Sequence, residues 1–234
     1  MDYSCQGLKT DWKIILGISS TCAALIILGY MCLDTRLANF VLEKADWRFL
    51  RSGALSDPPD LLFLFVCTVC IFCWSCRFYL SSKSSSGWAL DFLELMGWTL
   101  PLAFALKHLL KWMFGQTKTR VWLLHPDQFG FHWFQGGGDL SGFPSGHMAV
   151  FTAFMLAIGR YLPGLRPICV GLLILLALTL ILTQNHFFSD IVAGVYLGIL
   201  TDAFTCRGLA FFHHREESAG KPAMPNRDTA RQKQ

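Results

Sequence analysis

Six blocks of apolar residues run through this chain, at roughly 13–33, 60–80, 87–110, 147–164, 167–186 and 188–207. A bilayer's hydrocarbon core accepts a helix of about 20 apolar residues. Backbone N–H and C=O groups in that core must be satisfied within the segment, so the blocks predict helices. With 53% of residues hydrophobic and only 15% charged, too little polar surface is left to clothe soluble domains. The expected fold is all-α: an integral membrane bundle of six transmembrane helices. Two blocks are less clean. The third carries Asp91, Glu94, Lys107 and His108, and the fourth ends at Gly159-Arg160. The first block is long enough to span and has no small-residue cleavage site, so it reads as a retained helix.

Lysine and arginine placement orients the bundle. Arg215, Lys221, Arg227, Arg231 and Lys233 follow the last block, and Lys9 and Lys13 flank the first. Both termini are therefore expected on the cytoplasmic side, together with Arg77, Lys83, Arg160 and Arg166. Residues 34–59 and 111–146 fall outside. The first outer segment balances Arg36, Lys44, Arg48 and Arg51 against Asp34, Glu43, Asp46 and Asp57, with Asp60 just beyond it. The second sets Lys111, Lys118 and Arg120 against Asp127 and Asp139 alone. A basic outer loop runs against the orientation pattern, and binding an anion accounts for it. The net charge of +4 comes mostly from the C-terminal tail, which suits anionic headgroups. Nucleic acid is not an expected partner, because no aromatic-interleaved basic fold accompanies the charge.

Residues 34–51 mix charge with apolar residues at helical spacing. They predict an amphipathic helix in the outer interface with Trp47 as its anchor. The membrane domain is expected over 1–214, with 215–234 a polar, disordered cytoplasmic tail. Cys67, Cys70, Cys73 and Cys76 show repeated C-x-x-C spacing. One continuous apolar helix cannot wrap four thiolates around an ion, so these cysteines read as packing residues and no metal site is expected.

Ionisable groups are costly at a membrane, which makes two histidines the functional candidates. In His186-x-x-x-Asp190 both side chains share one helical face. The carboxylate can accept the Nδ1 proton, orient the ring and leave Nε2 to attack an electrophile. In Pro144-Ser145-Gly146-His147 the motif opens an apolar helix, where backbone N–H groups form an anion site. Ser145 adds a hydroxyl donor, and Gly146 allows close approach. The bland reading of each motif alone is a cap and a turn. The topology brings both histidines to one face beside the basic loop, which favours chemistry. His125 and His132 in that loop read as structural, and Trp122, Trp133 and Phe134 as an interface belt.

Together these segments resemble the type 2 phosphatidic-acid phosphatase superfamily, whose motifs are K-x6-R-P, P-S-G-H and S-R-x5-H-x3-D. The second motif stands intact as Pro144 to His147, and the third keeps its H-x3-D half as His186 and Asp190. The first begins at Lys111 but has Lys118 and Thr119 in place of Arg-Pro. Either Lys118 (matching in position) or Arg120 (matching in chemistry) is the second cation. The third motif has Leu180 where the family has a phosphate-binding Arg.

The resemblance implies a six-helix lipid phosphatase without cofactor. His186 would attack phosphorus to form a phosphohistidine, Asp190 would orient it, and His147 would protonate the leaving oxygen. Lys111, Lys118, Arg120, Ser145 and Gly146 would bind the phosphate. Expected substrates are phospholipid, isoprenoid or lipid A phosphates and pyrophosphates, met in a bacterial inner membrane with the site facing the periplasm. The competing expectations are a lipid phosphotransferase of the same fold, and a catalytically weakened scaffold or lipid binder.

Overall fold

The computed structural model describes residues 12–44, 59–83 and 87–220. Helix α1 (Trp12–Leu28) passes through a π-helical turn (Gly29–Leu33) directly into α2 (Asp34–Lys44). There follow α3 (Pro59–Ser82), α4 (Trp88–Phe114), the short α5 (Thr119–Leu124), α6 (Gly146–Tyr161), α7 (Arg166–Leu182) and α8 (Phe188–Gly220). Two 3₁₀ turns, Pro126–Gln128 and Pro163–Leu165, interrupt the connections. The described residues contain no strand, only an isolated bridge between Gln116 and Phe131.

Each of the six apolar blocks forms a helix, but they are not equivalent. Five segments are long and apolar enough to cross a membrane: Lys13–Lys44, Leu61–Ser82, Trp88–Phe114, Pro163–Leu182 and Phe188–Arg215. The fourth block becomes α6, a 16-residue helix of about 24 Å at 1.5 Å per residue. Bracing from every side compensates for its shortness, since it packs against α4, α7 and α8. Where an interfacial helix was expected over 34–51, Asp34–Lys44 form α2 as the continuation of α1 within one apolar segment, Lys13–Lys44; residues 45–51, Trp47 among them, lie outside the described residues. Helix α8 continues to Gly220, past the boundary read at residue 214.

The centre of the bundle is α4, α6 and α8, with α3 against α4, α7 against α6, and α1 against α8. Leu95, Leu100, Ala103, Val150, Ala153 and Ala157 are fully buried where α4 meets α6, and α3 closes the cluster with Leu62, Val66 and Cys73. The outer helices instead expose Ile71, Phe72 and Phe78 on α3, and Ile174 and Leu175 on α7. Apolar residues all round such helices are what a lipid solvent selects. The cysteines of α3 are free thiols that pack along it, whereas Cys206 on α8 is disulfide-bonded.

The tightest seam is α6 against α8. A Cβ added to Gly194 would lie 2.6 Å from the Ser145 carbonyl oxygen and 2.8 Å from Met148 Cβ; one on Gly198 would lie 2.6 Å from Thr152 Cβ. Without a hydrophobic effect between helices in lipid, small residues spaced four apart allow such backbone approach. The seam also sets the height of the first turn of α6 against that of α8, where the two motif histidines sit.

Gly194→Val is therefore expected to destabilise the protein by about 1–3 kcal/mol through overpacking. Gly171→Val on α7, where nothing lies within 4 Å, is expected to be near neutral. Thermal unfolding of both variants in detergent checks the difference.

Candidate active site

Lys107 and Lys111 lie one turn apart on α4 and face the same way. Like charges at this spacing repel by a few tenths of a kcal/mol on a solvated helix. Here Lys107 is only 4% exposed, in a segment where burying an ammonium is expensive. Its Nζ sits 4.2 Å from the centre of the Phe104 ring. Its stem presses on Gly146, where an added Cβ would fall 2.7 Å from Lys107 Cδ. Lys111 Nζ donates to the Ser141 carbonyl at 2.7 Å. Beyond α4, the chain carries Lys118 and then Arg120 on the first turn of α5. Arg120 Nη2 donates to the Thr183 carbonyl at 3.0 Å, crossing to the connection between α7 and α8.

That connection carries His186. Asn185 and His186 N–H groups donate to the Leu180 carbonyl, closing the C-terminal end of α7. Gln184 adopts φ +56° to make the turn, and its Nε2 donates to the Ala38 carbonyl at 2.9 Å. His186 is 4% exposed, and its Nδ1 lies 3.4 Å from Asp190 Oδ2. The same carboxylate oxygen accepts the Phe187 N–H at 2.9 Å, so Asp190 caps its own helix while holding the ring. A carboxylate on Nδ1 favours the tautomer with the proton on that nitrogen.

The P-S-G-H segment arrives from the other side. Ser145 is the N-cap of α6, its Oγ accepting from the Met148 N–H at 3.5 Å. Its own N–H donates to the Asp190 carbonyl at 3.0 Å. The two motifs, distant in sequence, are thus joined by a main-chain hydrogen bond. His147, on the first turn of α6, is half-buried and stacks against Phe151 with an interplanar angle of 12°.

These elements enclose a cavity of about 490 Å³ at one end of the bundle. Lys107, Lys111, Lys118 and Arg120 line it with both histidines, His147 and His186. Neutral wall comes from Gly136 to Gly138, Ser141, Gly146 and Asn185, and Leu62 and Trp112 form the apolar flank beside His108. Among the described residues, no aspartate or glutamate lines it. Four basic side chains around a space of this size suit a multiply charged anion.

Of the eight residues singled out from the sequence, six line the cavity: Lys111, Lys118, Arg120, Gly146, His147 and His186. Ser145 and Asp190 are fully buried directly behind them. Lys118 and Arg120 both reach the wall, so the two alternatives for the second cation coexist. Leu180 does not face the cavity; it packs with Met148 and Ile191 in an apolar cluster. The guanidinium in this region comes instead from Arg120. His125 is exposed and His132 sits against the Gly115 carbonyl; neither lines the cavity. Sequence reasoning did not assign Lys107 and His108 to the site. The signal for Lys107 was present, as a second lysine one turn before Lys111 in an otherwise apolar block.

Residues 92–212, just over half of the chain, match the PAP2 superfamily. The chain belongs to the PAP2 superfamily. Two curated relatives of this PAP2 chain are lipid A 1-phosphatases. The one from Rhizobium etli is 33% identical over 70 residues, 30% of each chain. The one from Rhizobium johnstonii is 33% identical over 70 residues, 30% of this chain and 29% of the relative. The match thus spans less than a third of either relative's length. No solved structure matches the chain. The PAP2 match includes every cavity residue except Leu62 and begins after α1, α2 and α3.

Arg120→Met is expected to weaken inorganic phosphate binding about tenfold or more, the scale of a lost charged hydrogen bond. His125→Ala is expected to leave it unchanged. Isothermal titration calorimetry in detergent tests both.

Proposed function

We propose that this protein is an integral-membrane lipid phosphatase that cleaves a lipid phosphate or pyrophosphate through a phosphohistidine. The observation that carries the reading is the cavity in which four basic side chains surround two histidines, one of them backed by a carboxylate. The phosphoryl group sits among Lys107, Lys111, Lys118 and Arg120, which neutralise its non-bridging oxygens. The N-terminus of α6 adds the Gly146 amide and the partial positive charge of the helix. His186 Nε2 attacks phosphorus while Nδ1–H stays on Asp190. The P–O bond to the lipid breaks as His147 delivers a proton to the departing oxygen. Water, deprotonated by His147, then attacks the phosphohistidine and releases phosphate and free His186. The residues required are all present, so the motif substitutions at Leu180 and Thr119 do not by themselves demand a scaffold role.

The proposed topology counts α6 as the sixth crossing, with both termini cytoplasmic and the cavity opening on the extracytoplasmic face of a bacterial inner membrane. Charge distribution supports it. Arg77 pairs with Glu94, and Arg160 pairs with Asp202, at the end of the bundle away from the cavity. The lipid A 1-phosphatase relatives favour a phosphate exposed on a lipid headgroup as substrate, with the apolar flank of Leu62 and Trp112 toward the acyl region.

Phosphate release by purified protein in micelles, across a panel of lipid phosphates and pyrophosphates, tests this reading. Release is expected from at least one lipid. His186→Ala is expected to lose about 10³-fold or more, and His147→Ala about 10²–10⁴-fold. Transfer of the phosphoryl group to a second lipid without free phosphate would instead identify a phosphotransferase. Activity retained in His186→Ala would overturn the mechanism.

A further inference from the structure

The N-terminal helix makes an unusual contact with the catalytic connection. Asp34, at the join between the π turn and α2, is 1% exposed. The sequence places it among balanced charges at the interface, yet the fold turns it inward. Its Oδ1 accepts the Ser189 N–H at 2.9 Å and its Oδ2 accepts the Ser189 hydroxyl at 2.5 Å. Ser189 is the residue before Asp190. Two further contacts fasten the same connection to the same helix. Gln184 Nε2 donates to the Ala38 carbonyl. Gly29 faces Phe188 so closely that an added Cβ would lie 3.0 Å from its ring. Gly29 opens the π turn, and such turns re-aim side chains at functional positions.

Burying a carboxylate in an apolar bundle is expensive, and a neutral Ser, Thr or Asn would satisfy a helix N-terminus at less cost. A charge is retained where its strength as an acceptor matters. Here two carboxylates grip the first turn of α8: Asp190 holds Phe187 N–H and the His186 ring, while Asp34 holds both hydrogens of Ser189. The positive end of the α8 dipole favours both charges.

We infer that Asp34 is a positioning residue for the site: by holding Ser189 it fixes the first turn of α8, and through it the Asp190–His186 pair. The inference rests on His186 being the reacting group, and it extends the functional unit to a helix that the superfamily match does not include.

Asp34→Asn retains the shape but turns one oxygen into a donor facing Ser189. The expected result is a folded protein whose kcat falls about 10–100-fold while KM stays within about twofold. Asp34→Glu is expected to recover part of that loss. Combined with Asp190→Asn, the Asp34→Asn change is expected to add little, because it acts through the same carboxylate. Unchanged kcat in Asp34→Asn, or losses that multiply in the double variant, would overturn the inference. Should Asp34→Asn fail to fold, Ser189→Ala removes only the hydroxyl contact and is expected to lower kcat in the same way.

A readout independent of turnover separates this inference from the phosphatase reading. In protein with 15N-labelled histidine, the His186 ring resonances, assigned with His186→Gln, are expected to shift in Asp34→Asn. A shift in a protein that releases no phosphate would uphold the positioning role and reject the phosphatase. An unmoved resonance would reject the positioning role whatever the activity.

Discussion

The main-chain hydrogen bond from Ser145 N–H to the Asp190 carbonyl joins the two halves of the site. It can form only because α6 and α8 touch backbone to backbone. Gly194 and Gly198 make that possible, since any Cβ there would collide with α6. The consequence for chemistry is direct. Ser145 N-caps the helix that carries His147, and Asp190 holds the ring of His186, so one contact sets the spacing of both histidines. A bundle held by exposed loops would not keep them in register. The short α6, braced by α4, α7 and α8, supplies the rigidity that such a site requires.

The second constraint is electrostatic. Unit charges about 8 Å apart still repel by about 2 kcal/mol at an effective dielectric of about 20. Lys107, Lys111, Lys118 and Arg120 share one cavity, with no acid on its wall among the described residues. The carboxylates near the site face the other way: Asp190 behind His186, and Asp34 on the far side of Ser189. An anion entering the cavity would relieve repulsion among the basic groups, whereas the carboxylates lie behind the histidine and do not compete for them.

Much of this was legible in the chain. Apolar block length identified every long helix, because a bilayer imposes one length on each. P-S-G-H and H-x3-D were legible because short motifs encode local geometry: a cap, a turn, and two side chains on one helical face. Two residues were not. Lys107 was hidden because a lysine in an apolar block looks like an imperfection until Gly146 is found packed on it. Asp34 was misread as an interfacial charge, since its partner Ser189 lies 155 positions away and only tertiary packing unites them. The departure at Leu180 left two alternatives in the sequence, compensation by Arg120 or an altered activity. In the fold that position faces an apolar cluster, and a guanidinium arrives from Arg120 in another helix.

The central claim is that His186 carries the phosphoryl group. Rapid acid-free quenching of the enzyme during turnover of its fastest 32P-labelled lipid phosphate, followed by peptide mapping, tests it directly. The expected result is an acid-labile, alkali-stable label on the peptide containing His186, formed and discharged within one turnover. Steady release of phosphate with no labelled protein at any quench time, or a label on another residue, would contradict it.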